Sequence, residues 1–192
     1  LRTEDPVHRS EAGFWVLTRH AEVAAVLRDP RMSRDPRRSE RAELLRSSPR
    51  VEELVAAEEA APSMLFVDPP DHTRLRALVN KAFTPAAVER LRPRVEAIVA
   101  GQLDRVAGAG AADVVEDLAY PLPVTVICEL FGVPEADRAR FRAWSRELVR
   151  LLDPLVASDA LERALLARLE LRGYLRGLIA ERRAHPAGDL LS

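Results

Sequence analysis

From Asp68 onward the apolar residues recur at three- and four-residue intervals, in blocks delimited by proline and glycine, which confines that span to packed helices. Thr84-Pro85 opens one block, with Val88, Leu91, Val95, Ile98 and Val106 on a stripe ended by Gly108 and Gly110. Pro121 and Pro123 start a second, in which Val124, Ile127, Cys128 and Phe131 share a face before Gly132 stops it. Pro134 sits at the first turn of a third, carrying Phe141, Trp144, Leu148 and Leu151. The last carries Leu161, Leu165, Leu169, Leu175 and Leu178 and ends at His185-Pro186. Strand character is confined to a hairpin over residues 7 to 18, where Val7-His8-Arg9 and Phe14 to Thr18 flank a polar turn. Thr18 is placed to cap a short helix carrying Val23, Val26 and Leu27. Arginines between Arg31 and Arg50 precede Glu52, Glu53, Glu58 and Glu59, so residues 30 to 67 read as a solvated loop with one or two short helices. The expected fold class is mainly α with a small β hairpin, without internal repeat.

Charge and composition exclude several functions. Hydrophobic residues make up 47% of the chain and charged ones 31%, which suits a globular protein rather than a disordered one. A net charge of -1 gives nucleic acid or an anionic membrane nothing to attract, so neither partner is expected. The greasiest stretch, Leu118 to Phe131, is interrupted by Pro121, Pro123, Thr125 and Glu129 and is no membrane span. A single cysteine, Cys128, rules out an internal disulfide and any multi-cysteine metal cage, which points to the cytoplasm. Lys81 is the only lysine; the arginine and alanine bias reads as high-GC codon usage. Leu1 in place of methionine, and Ser192 directly after Leu190-Leu191, read as cut ends.

Chemistry concentrates in the run Asp68-Pro69-Pro70-Asp71-His72-Thr73-Arg74-Leu75-Arg76 and its continuation to Phe83. Asp68 can cap a helix there, the prolines preset its first turn, and Asp71 complements its dipole. At ~100° per residue, His72, Arg76, Val79 and Phe83 fall within roughly one sixth of the circumference, while Arg74 and Lys81 lie opposite. Two cations therefore share the apolar face, in the first turns where the macrodipole opposes them. They should meet something anionic: an internal Asp or Glu, or an external group, unless Arg76 snorkels to the edge. Asp68, Asp71 and His72 make a poor metal site, because adjacent helical positions diverge by about 100°; no metal is assigned.

The segment DPPDHTRLRALVNKAFTP closely resembles the C-helix region of bacterial cytochrome P-450 monooxygenases. FWVLTRHAEVAAVLRDPRMSRDP resembles the same family's first-sheet strand and B helix, VICELFGVPEADRARFRAWS its E helix, turn and F helix, and GDLLS the lead into its I helix. The similarity spans the chain in family order. It implies a partial cytochrome P-450 fold, with first-sheet strands and helices B to G, over a domain at residues 1 to 192 incomplete at both ends. It further implies haem as cofactor, with His72 and Arg76 on the propionates and Phe83 close to the porphyrin. Met64, Leu65 and the turn around Leu152 to Val156 would contact an organic substrate, or else serve ordinary packing. Arg74 and Lys81 would face an acidic ferredoxin, or else be plain solvated charges.

The family's late cysteine loop, its I-helix acid-threonine pair and its K helix have no counterpart here. Cys128 sits on a core stripe and reads as a buried structural thiol. E-x-x-R occurs at Glu43 to Arg46, Glu135 to Arg138 and Glu147 to Arg150, out of family order. The resemblance thus implies part of a monooxygenase that inserts one oxygen atom from dioxygen, no catalytic residue in this chain, and no activity from it alone. Missing cover would leave apolar surface that invites self-association. A helical, non-enzymatic ligand-binding or interaction module fits the stripes equally well, but not the His72/Arg76 pair.

Overall fold

A computed structural model describes residues 1–11, 13–39, 48–59, 63–153, 155–187 and 189–192; the Glu43 to Arg46 motif lies outside them. The chain is mainly helical with one small sheet. Strands β1 (Val7–Arg9) and β2 (Trp15–Leu17) pair antiparallel, with His8 opposite Val16. Helix α1 (His20–Arg28) follows directly. Thr18 does not cap it: the capping position is Arg19, and the Thr18 hydroxyl donates back to the Pro6 carbonyl at 3.2 Å, closing the hairpin instead. Between 30 and 67 stand α2 (Pro49–Glu59) and short 3-10 turns at Pro36–Arg38 and Met64–Phe66.

The sequence blocks reappear as α3 (Asp71–Ala82), α4 (Pro85–Ala107), α5 (Pro121–Leu130), α6 (Arg138–Leu148) and α7 (Ser158–Ala184). Thr84 caps α4, its hydroxyl accepting from the Ala87 amide at 3.2 Å, and His185 ends α7 as its spacing predicts. Pro134 precedes a 3-10 turn at Glu135–Asp137 rather than sitting in the first turn of α6. A π-helical turn at Val114–Ala119, which has no apolar period of its own, leads into α5. Gly132 closes α5 at φ +64°, a conformation that a residue with a Cβ resists.

Helix α7 is the spine of the packing. Its N-terminal half meets α2 in a core of Val51, Leu54, Leu161 and Leu165. Its C-terminal half meets α5 and α6 in a second core of Val124, Cys128, Val133, Phe141 and Leu178. Ala160, Ala164 and Ala167 are buried along the same helix, and their small side chains admit close approach. The other elements are far less covered. No residue of α1 or α3 is buried, Trp15 on β2 is 67% exposed, and α4 buries only Gln102, its stripe being exposed at Val88 and half-buried at Leu91, Val95, Ile98 and Val106.

Candidate cofactor-binding helix

Helix α3 starts two residues later than a cap at Asp68 would place it. Its capping position is Pro70 without a side-chain cap, and Asp68 turns away to hold the preceding loop. The Asp68 carboxylate accepts from the Ser33 hydroxyl at 2.6 Å, the Arg34 amide at 2.8 Å and Arg38 at 3.2 Å. These donors, Ser33 foremost, hold its carboxyl below the usual carboxylate range. The Asp68 carbonyl still serves the helix, accepting from the His72 amide at 3.1 Å. Thus Asp68 ties residues 33 to 38 to the first turn of α3, a contact across some thirty residues that no local pattern signals.

His72, Leu75 and Ala82 are half-buried; Arg76 is exposed, as are Val79, at 38%, and Phe83, at 49%. The expectation that Arg76, Val79 and Phe83 face inward is therefore corrected: they lie on one side of the helix, and that side stays largely open to solvent. Arg74 and Lys81 are exposed as expected, and Arg74 leans on Asp71 at 3.5 Å. Among the described residues, no hydrogen-bond or ion-pair partner meets the His72 ring or the Arg76 guanidinium. Among the described residues, no internal carboxylate absorbs them. What α3 offers is two side-chain donors one helical turn apart, beside apolar Val79 and Phe83, which fits an amphipathic anion with a flat apolar body. Haem with its propionates has that chemistry.

Just before α3, Met64 is half-buried and Leu65 is 61% exposed, on a turn whose Phe66 ring lies 6.0 Å from the Arg168 guanidinium of α7. Leu152 and Leu155 are exposed and Val156 packs on the α2–α7 core, while Pro154 lies outside the described residues. Cys128 is fully enclosed between α5, α6 and α7, and burial pushes its thiol up, away from a reactive thiolate. Among the described residues no three His, Cys, Asp or Glu side chains could hold a metal ion. Among them, too, no helix is long and apolar enough to cross a membrane.

No protein-family model matches the chain. It is 43% identical over its full length to the cytochrome P-450 monooxygenase PikC of Streptomyces venezuelae, covering 44% of that protein. It is equally identical, at 43%, to nocardicin C N-oxygenase of Nocardia uniformis, covering 46% of it. Among solved structures, P-450BioI in complex with a ligated acyl carrier protein matches the whole chain at TM-score 0.84 and 31% identity, over 48% of that chain. The cytochrome P-450 PksS of Bacillus subtilis matches it at TM-score 0.75 and 34% identity, over 46%. The chain spans about half the length of the curated relatives it matches.

Proposed function

By sequence and by fold the chain belongs to the bacterial cytochrome P-450 family, and on that premise we propose that the protein containing it is a haem-dependent monooxygenase in which α3 holds the cofactor's anionic edge. The observation that carries this is the His72 and Arg76 pair, unpartnered among the described residues on an uncovered apolar side of α3. In this reading His72 and Arg76 would hold the propionates and Phe83 would offer the porphyrin an apolar contact. Bound haem supplies the oxygen activation by which one atom of dioxygen enters an organic small molecule. Met64 and Leu65, on the turn before α3, would touch that substrate. Relatives named for a nocardicin and for vitamin D(3) set no narrower class than an organic small molecule. Arg74 and Lys81, exposed on the other side of α3, would offer a basic surface to an acidic ferredoxin in the cytoplasm.

Residues 1 to 192 alone should hold haem weakly. Two charge-assisted hydrogen bonds contribute roughly 3 to 6 kcal/mol, on the order of millimolar affinity before association costs. Cys128, enclosed in a core, cannot serve as the iron's thiolate without unpacking that core. The uncovered Val79, Phe83, Val149 and Leu152 would make the isolated chain self-associate.

Haem retention during gel filtration of the full-length protein tests the assignment. His72→Gln and Arg76→Gln should each weaken retention about tenfold, while the optical spectrum of the haem that remains is unchanged. Retention equal to the parent in the double variant would show that α3 does not hold the cofactor.

A further inference from the structure

A cavity of about 460 Å³ lies between α4, α5 and α6, and no residue of α3 lines it. Its walls carry four arginines, Arg94, Arg105, Arg138 and Arg142, against one lining carboxylate, Glu135. Just behind, Glu129 grips Arg94 through two bonds of 2.6 Å and reaches Arg138 at only 3.4 Å. One carboxylate thus serves two guanidiniums, and Arg105 and Arg142 have no acidic partner among the described residues. Elsewhere this chain commonly matches an arginine to its own acid, as in Arg31 with Asp29, Arg37 with Asp35 and Arg92 with Glu89.

Two of the wall residues each hold an enclosed polar atom that has no partner among the described residues. Gln102 is 3% exposed and its Oε1 meets no donor; Arg138 Nε meets no acceptor. Leaving such atoms unsatisfied is costly, and one of each hydrogen-bonding sense calls for a ligand bearing both acceptor oxygens and an O–H. Gln102, Arg105 and Arg142 also stand where this space meets an adjoining cavity of about 230 Å³, whose carboxylates are engaged elsewhere, Glu116 by Arg146 and Asp117 by the Asp113 amide.

We propose that this cavity binds a small polyvalent oxyanion that also carries a hydroxyl or a protonated oxygen. Its anionic oxygens accept from Arg105, Arg138 and Arg142, and its O–H donates to Gln102 Oε1. Glu135 at the wall disfavours the anion less than the arginines favour it, since it is outnumbered. Phosphate and a hydroxy-polycarboxylate share this chemistry, and separate titrations distinguish them.

Calorimetric titration of the protein with inorganic phosphate, citrate and tricarballylate tests the site. Tricarballylate has the carboxylates of citrate without its hydroxyl. Saturable binding of phosphate or citrate at one site per chain is expected, weakened about tenfold by Arg105→Gln and again by Arg142→Gln. Gln102→Leu removes an unsatisfied buried atom, so the variant should melt no lower than the parent and yet bind the hydroxyl-bearing anion more weakly. If citrate binds, its advantage over tricarballylate should vanish in Gln102→Leu. Absent binding, or binding unaltered in the Arg105→Gln, Arg142→Gln double variant, overturns the site. Equal affinity for citrate and tricarballylate in the parent overturns the role given to Gln102.

Discussion

At Gly132 the requirement for glycine is double. The backbone stands at φ +64°, and a Cβ there would overlap Asp189 Oδ2 and lie 2.7 Å from Arg182 Nη2. Arg182 binds the Gly132 carbonyl at 2.9 Å and pairs with the Asp189 carboxylate, which pins the C-terminal residues against the end of α5. Gly132→Ala should therefore lower stability by about 1 to 3 kcal/mol in a chemical melt, whereas Gly108→Ala, where a Cβ meets nothing, should cost far less. Tyr174 makes the second residue-level case. Burial first, and the neighbouring Asp137 carboxylate at 2.9 Å second, push its phenol up to about 12. A phenol that ionises later in the folded chain contributes stability below its unfolded value of about 10, and loses that contribution as pH rises from there towards 12. An ultraviolet titration should show Tyr174 ionising late; its ionisation near the ordinary value would contradict this packing.

Among the elements, α7 and α3 stand at opposite ends of a scale of cover. Six residues of α7 are buried and none of α3 is. Amide exchange should therefore be slowest around Leu161 to Leu165 and fast throughout α3; protection of α3 equal to that of α7 would mean that α3 has cover not seen here. The contrast also explains what could be read from the residues alone. Periods of three and four, with proline and glycine as punctuation, placed α4 to α7 and the hairpin, because those signals act within a few neighbours. They could not tell which stripes would be covered, since that depends on distant chain. Arg76 illustrates this: the helical period sets it beside Val79 and Phe83, and it is there, yet that side is open. Asp68 shows the other limit, as its carboxylate chose Ser33 and Arg34 over the helix that follows it. The π-helical turn at Val114–Ala119 gave no period to find.

For the molecule as a whole, two cores share the spine α7, while α3, α4 and the hairpin keep apolar side chains uncovered. That distribution matches a chain spanning about half the length of the cytochrome P-450 relatives it resembles. The site on α3 is in the same condition: donors and an apolar side are in place, and Cys128, the only thiol, is enclosed elsewhere. Under the proposed function, a thiolate to the iron would come from outside these residues. The carbon monoxide difference spectrum tests that claim most directly, taken on haem-reconstituted samples whose intact mass is confirmed. Full-length protein should give the thiolate-type band and residues 1 to 192 should not; a thiolate-type band from the 192-residue chain would contradict the account, because Cys128 would then have to be the ligand.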